Sequence, residues 1–157
     1  MQKLRQSGTL IGFVLIIAFF SFQLPDTFLT ARNLLNISQQ LSMLAVVAAT
    51  MTIVMVMNDF DLSVGSMASL SGIVAASLFV NEYSIWAGIG AALLVGLVGG
   101  LFNGILVSVI GISPFVATLG TLTVFSGAAF LLSDGKTIFG RDIPKNFSDF
   151  SRGGIEA

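Results

Sequence analysis

The stretch Ile85-Trp86-Ala87-Gly88-Ile89-Gly90-Ala91-Ala92-Leu93-Leu94-Val95-Gly96-Leu97-Val98-Gly99-Gly100-Leu101-Phe102-Asn103-Gly104-Ile105-Leu106-Val107-Ser108-Val109-Ile110 contains no charged side chain. A helix needs about 20 residues to cross the ~30 Å hydrocarbon core of a bilayer, and this run is longer than that. It also lacks a polar face to turn toward water, so its surroundings are lipid or other helices. Moving outward, Leu62–Val80 precedes it and Pro114–Leu132 follows it, both apolar. Nearer the N-terminus lie Thr9–Leu24, stopped by Pro25-Asp26, and a segment from about Leu34 to Met57. The second of these opens on polar turns holding Asn36, Ser38, Gln39, Gln40 and Ser42, with Asn33 as its expected N-cap. Five apolar segments thus predict an all-α, polytopic membrane protein with about five transmembrane helices.

Composition points the same way. Hydrophobic residues make up 55% of the chain and charged residues only 10%, where soluble domains carry about 25% charged. So little charge cannot solvate a water-facing surface. A net charge of -1 offers no basic field for nucleic acid. With neither cysteine nor histidine, disulfide frameworks, thiolate metal sites and the commonest general base are excluded. Five spans use up most of 157 residues, leaving no room for a nucleotide-hydrolysing domain. Gly135-Lys136-Thr137 resembles the end of a phosphate-binding loop, but the position five residues before Gly135 is Phe130 rather than glycine.

Domain organisation follows from the same reading. Residues 1–133 are expected to form the transmembrane domain, with spans near 9–24, 34–57, 62–80, 85–110 and 114–132. Residues 134–157, with Gly135, Gly140, Pro144, Gly153 and Gly154, read as a hydrophilic loop or tail. Lys3 and Arg5 before an apolar run without a cleavage site read as an uncleaved first span with its N-terminus in the cytoplasm. Five crossings then put the tail outside, against the pull of Lys136, Arg141, Lys145 and Arg152.

The break between the second and third segments, Met57-Asn58-Asp59-Phe60-Asp61-Leu62-Ser63-Val64-Gly65-Ser66, sets two carboxylates between apolar runs. An ionised carboxylate costs about 2.5–3.5 kcal/mol in hydrocarbon even on the mild insertion scale, so each needs water, a partner or a cavity. A capping turn meets that need if Asp61 accepts an N–H from Ser63 or Val64. A broken helix whose loosened backbone and Asp61 line a solute path meets it too. In the fourth segment Ala92, Gly96, Gly100, Gly104 and Ser108 recur every four residues and predict a nearly bare face for helix packing, with Asn103 beside it. Asn103 either bonds across to a neighbouring helix or faces a solute. A weaker stripe is Ala68, Gly72 and Ala76. In the fifth segment Ser113 is the expected N-cap before Pro114. The hydroxyls of Thr118, Thr121 and Thr123 suit their own helix carbonyls or a polyol equally.

Two blocks carry a family likeness. Asp61-Leu62-Ser63-Val64-Gly65-Ser66 with Ser71-Gly72 resembles the permeases of ABC importers for ribose, xylose, arabinose and related monosaccharides. Asn103-Gly104 followed by Gly111-Ile112-Ser113-Pro114-Phe115-Val116-Ala117-Thr118-Leu119-Gly120-Thr121 resembles them as well. The resemblance implies half of a ten-helix permease, a truncated or N-terminal portion, acting as a dimer with a second permease subunit. It further implies a cytoplasmic ABC ATPase that carries ATP and Mg, a periplasmic sugar-binding protein, and residence in the bacterial inner membrane. No catalytic residue, metal or cofactor is expected on this chain. Asp61, Ser63, Asn103, Thr118 and Thr121 are the substrate-path candidates, and Gly65, Gly72, Gly96, Gly100, Gly104 and Gly120 the helix-packing ones. The family has a small residue where this chain has Phe60. A non-transporting fragment and a small helical assembly protein are the alternatives. On this reading the purified chain is folded and dispersed in detergent micelles and aggregates when detergent is removed; size-exclusion chromatography with and without detergent checks it.

Overall fold

The computed structural model of the chain describes residues 2–147. Their regular structure is helical, with no strand among the described residues. Helix α1 is Gln2–Gln23, α2 Ala31–Val56, α3 Val64–Val80, α4 Ile85–Gly104 and α5 Pro114–Ser133. Helix α4 continues into a π turn, Ile105–Val109, and a short 3-10 turn, Gly140–Asp142, follows α5. The protein is an all-helical, polytopic membrane protein. Ala31–Val56, Ile85–Val109 and Pro114–Ser133 are long and apolar enough to cross a bilayer, while Gly8–Gln23 and Val64–Val80 are apolar but shorter. Helix α3 is shorter than its apolar run because Leu62 and Ser63 belong to the turn before it.

Helix ends follow from local chemistry. The first free N–H groups of a helix need acceptors, and at α2 the Thr30 hydroxyl accepts from the Asn33 N–H at 3.3 Å. The cap is therefore Thr30 and not Asn33, whose side chain instead donates to the Phe28 carbonyl at 2.7 Å. Thr30 starts the helix three residues early because Ala31-Arg32-Asn33 contains nothing that stops one. At α4 the Ser84 hydroxyl accepts from the Ala87 N–H at 3.2 Å. Helix α5 opens on Pro114 as expected, but Ser113 makes no side-chain capping bond. It ends at Asp134 and Gly135, both left-handed with φ of 54° and 66°.

The chain divides into two compact units, Met1–Thr50 and Met51–Ala157. In the first, a turn after α1 is closed by the Phe28 N–H donating to the Leu24 carbonyl at 2.8 Å. The rings of Phe20 and Phe28 stack across it at 5.7 Å. In the second, α3 is the middle helix and packs against both α4 and α5, which touch each other little. Leu70, Phe125 and Ala129 form the core, with Met67, Ile73, Val74, Val95 and Ala128 against them. Leu93, Leu97, Leu101, Val124 and Leu131 point outward, which costs nothing when the solvent is lipid.

Close packing falls on glycines other than the expected ones. A Cβ on Gly88 would stand 2.7 Å from the Phe79 Cζ, and one on Gly99 2.8 Å from the Met67 Sδ and 3.3 Å from the Phe125 Cζ. At Gly65, Gly72, Gly96, Gly100, Gly104 and Gly120 a Cβ would meet nothing within 4 Å among the described residues. Geometry explains the difference. At 3.6 residues per turn, a repeat of four drifts by about 40° each time, so the Ala92-to-Ser108 series winds around the helix. The face that meets α3 advances by four, three, four and four residues, through Gly88, Ala92, Val95, Gly99 and Asn103.

The hydrophilic stretch after α5 partly folds back. The Phe147 ring lies 5.0 Å from that of Phe79, and Asn146 and Phe147 border a cavity of about 220 Å³ with Ile85, Trp86 and Ile89. Arg141 stacks on Phe139 at 5.1 Å. Residues 148–157, with Arg152, Gly153 and Gly154, lie outside the described residues. Gly88→Val is expected to lower stability by about 1–3 kcal/mol, since the Phe79 ring is held by its neighbours and an overpacked contact costs that much. Gly90→Val, at a position open for 4 Å, is expected to leave it unchanged or raised. Thermal unfolding in detergent by circular dichroism compares the two.

Candidate functional site

Helix α2 stops at Val56 and α3 starts at Val64; the N–H groups of Met57, Asn58 and Asp59 still bond α2 carbonyls, and the backbone from Phe60 on must find partners elsewhere. Asn58, with φ of 64°, reverses the chain, and the Asp59 N–H still reaches the Val54 carbonyl at 3.2 Å. Short polar side chains such as asparagine tolerate the left-handed region better than most.

Asp61 then closes the turn that leads into α3. One carboxylate oxygen accepts both the Ser63 N–H at 2.8 Å and the Ser63 hydroxyl at 2.6 Å. The bond to the Ser63 N–H is the one expected from the sequence, but it closes the turn ahead of α3 and does not cap the helix, whose N-cap is Ser63 without a side-chain bond. The Ser63 oxygen in turn accepts from the Asn103 side-chain amide at 2.8 Å. The relay therefore runs from α4 through Ser63 to Asp61, each donor pointing at the next acceptor. Ser63 is 1% and Asn103 7% exposed, while Asp61 is half-buried.

Helix α5 holds the same turn from the other side. The Thr118 hydroxyl oxygen accepts the Leu62 N–H at 3.1 Å. Its own proton goes to the Pro114 carbonyl at 2.8 Å, with the Phe60 carbonyl a longer alternative at 3.4 Å. The Thr121 hydroxyl donates to the Thr118 carbonyl at 3.3 Å. Both threonines are 3% exposed. Thr123, by contrast, is exposed and bonds the Gly120 carbonyl of its own helix.

Four of the substrate-path candidates, Asp61, Ser63, Asn103 and Thr118, thus meet at the turn before α3, and Thr121 lies along α5, its hydroxyl bonded only to the Thr118 carbonyl among the described residues. The arrangement has no nucleophile beside a base, and among the described residues no group of acidic side chains is placed to hold a metal. Its chemistry is hydrogen bonding: it fastens α3 to α4 through Asn103 and the turn to α5 through Thr118. One loose end remains. The Asn103 carbonyl oxygen is buried without a partner, and a buried amide acceptor without a donor costs about 1–3 kcal/mol.

Sequence reasoning did not find the π turn that follows directly after Asn103 and Gly104. There the Ile110 N–H reaches back five residues to the Ile105 carbonyl at 3.0 Å. Nothing in Ile105-Leu106-Val107-Ser108-Val109 distinguishes it from α-helix. The tight glycines Gly88 and Gly99 were likewise hidden, and only their spacing with Asn103 at helical period could have marked them.

Residues 33–152 match the family described as "Branched-chain amino acid transport system / permease component". The chain is 34% identical over 87% of its length to the L-arabinose ABC transporter permease protein of Azospirillum brasilense, of which it covers 40%. It is 36% identical over 93% of its length to the ribose import permease protein of Haemophilus influenzae, covering 43% of that protein. To the ribose import permease protein of Bacillus subtilis it is 34% identical over 98% of its length, covering 46%. No solved structure matches the chain. The protein belongs to this family of transport-system permease components, and it spans less than half the length of these relatives.

The geometry makes Thr118 the more demanding partner of the turn, because removing its oxygen strands the Leu62 N–H. Thr118→Val is expected to destabilise the chain by about 1–3 kcal/mol, the cost of a buried unsatisfied donor, and Thr118→Ser to recover most of it. Unfolding in detergent micelles, followed by circular dichroism, measures both.

Proposed function

We propose that this chain is the N-terminal part of the transmembrane subunit of an ABC importer for a monosaccharide, and that it forms part of the sugar path across the bacterial inner membrane. The supporting observation is the position of the relay. Asp61, Ser63, Asn103 and Thr118 come from separate sequence blocks and converge on one turn, and Thr121 is buried behind them with its hydroxyl on the Thr118 carbonyl. Relatives that include ribose, arabinose and D-allose permeases supply the substrate class.

Within that reading the five residues divide their work. Ser63, Asn103, Thr118 and Thr121 are buried in the contacts of α3, α4 and α5, so they shape the path by fixing the turn. Asp61 is half-buried and still accepts only on one carboxylate oxygen among the bonds described above, so it lines the path. The N-terminus lies in the cytoplasm. ATP and Mg act on a separate cytoplasmic ATPase, and a periplasmic sugar-binding protein delivers the sugar. A second permease subunit completes the path. Alternation between outward- and inward-facing states moves the sugar, and this chain performs no hydrolysis.

The test uses cells whose sole monosaccharide permease carries this sequence. Asp61→Asn is expected to lower uptake of labelled ribose, arabinose or allose by about tenfold or more, the worth of a charge-assisted hydrogen bond. The amount of permease in the membrane is expected to stay the same. Asn103→Ala is expected to reduce both uptake and co-purification of the partner subunits. Should both variants keep full uptake and full assembly, the path assignment is wrong.

A further inference from the structure

Four features of α4 belong together. The helix seats Gly99 where a side chain would strike Met67 and Phe125. The next residue is also glycine, and Gly100 faces open space. Asn103, which bonds Ser63, is likewise followed by a glycine, Gly104, that faces open space. Immediately beyond, the π turn Ile105–Val109 stores one more residue than an α-helical turn would hold.

We propose that α4 has two packing registers, interchanged by migration of this π turn along the helix. Moving the extra residue from Ile105–Val109 to a point just before Gly96 returns 105–109 to α-helix. Every residue between the two points then advances by one place, a rotation of about 100° and a shift of about 1.5 Å. Gly100 takes the seat of Gly99, Gly104 replaces Asn103 opposite Ser63, and Gly96 replaces Val95. The tight crossing at Met67 and Phe125 still receives a glycine. The opposite direction is closed, since it would drive Val98 into that seat.

Both ends stay fixed while the middle turns. Gly88 lies above the moving segment and remains under Phe79. Below it, Gly111 with φ of 81° and the start of α5 keep their places. The slip breaks the Asn103–Ser63 bond and moves the amide to the place of Phe102, which is half-exposed. Asn103 stands about 27 Å along α4 from Ile85, so the released amide reaches the headgroup level and not the middle of the hydrocarbon. Its carbonyl oxygen, now buried without a partner, gains water there. The second register thus repairs what the first leaves unsatisfied, which brings the two close in free energy.

The chain has no cysteine, so an introduced thiol is read without background. In lipid nanodiscs, Asn103→Cys is expected to react with N-ethylmaleimide through the second register. Adding Gly100→Val blocks that register, because valine cannot enter the seat, yet meets nothing in the first. Labelling is expected to slow by about tenfold or more, the effect of about 1.4 kcal/mol. Adding Gly99→Val instead is expected to speed labelling, because valine at 99 leaves the seat for the open place of Val98. Oxidative cross-linking reads the registers separately: Ser63→Cys with Gly104→Cys is expected to close, and to stop closing when Gly100→Val is added. Ser63→Cys with Asn103→Cys is expected to close in both backgrounds. An unchanged labelling rate on adding Gly100→Val, or a cross-link between positions 63 and 104 that is indifferent to it, overturns the proposal. None of these measurements involves uptake, so their failure is separate from failure of the transport reading.

Discussion

A peptide group shut away from water must be satisfied within the protein, so any buried stretch that leaves the helix must find partners there. This chain leaves it between Val56 and Val64, and the consequences organise the second unit. The Ser63 N–H is taken by Asp61 and the Leu62 N–H by Thr118. One partner is local and one is brought from α5. The turn is therefore formed only when α5 is in place, which ties a local irregularity to the packing of a helix more than fifty residues away. The Asp61 carboxylate, costly in an apolar setting, is occupied by the same act that closes the turn before α3.

The middle helix α3 is held differently at its two ends. At its N-terminal end the hold is polar, Asn103 to Ser63 to Asp61. At its C-terminal end it is a matter of shape, with Phe79 over Gly88 and the Phe147 ring against Phe79. Between them Met67 and Phe125 close on Gly99. Lipid chains are as apolar as leucine, so burying apolar surface gives helices little reason to associate. Close van der Waals contact and hydrogen bonds remain, and α3 uses both. That explains why the described interior contains as many buried polar side chains that bridge or brace helices as it does large apolar ones.

How much of this could be read in advance varied with how local each signal was. Apolar runs located the five α-helices of the described residues, because a run is its own signal, and the bond from the Ser63 N–H to Asp61 followed from spacing, though it caps no helix. The convergence of Asp61, Ser63, Asn103 and Thr118, with Thr121 behind them, was legible as a set through family resemblance, though not as a hydrogen-bonded relay. The start of α2 was misplaced because two polar residues, Thr30 and Asn33, compete for one role and only geometry separates them. A regular four-residue repeat drew attention to Gly96, Gly100 and Gly104, whereas contact follows the 3.6-residue turn through Gly88 and Gly99. The π turn left no trace in residue types at all. It lies between Asn103, bonded to Ser63, and Gly111-Ile112-Ser113, which leads into α5.

The scarcity of free polar groups at the turn limits what this cluster can offer a solute. Ser63 both donates and accepts within the protein, Thr118 accepts one bond and donates another, and the Asn103 amide donates to Ser63 while its carbonyl oxygen is buried out of a solute's reach. Groups already paired in this way have little to offer a passing hydroxyl, and a buried pair is not easily opened for one. In the proposed reading this leaves the half-buried Asp61 as the polar contact from this cluster, enough to wet a path and too little to recognise one sugar among several. On that same proposal a path built so sparingly would release what it receives, and discrimination would fall to whatever delivers the solute to it.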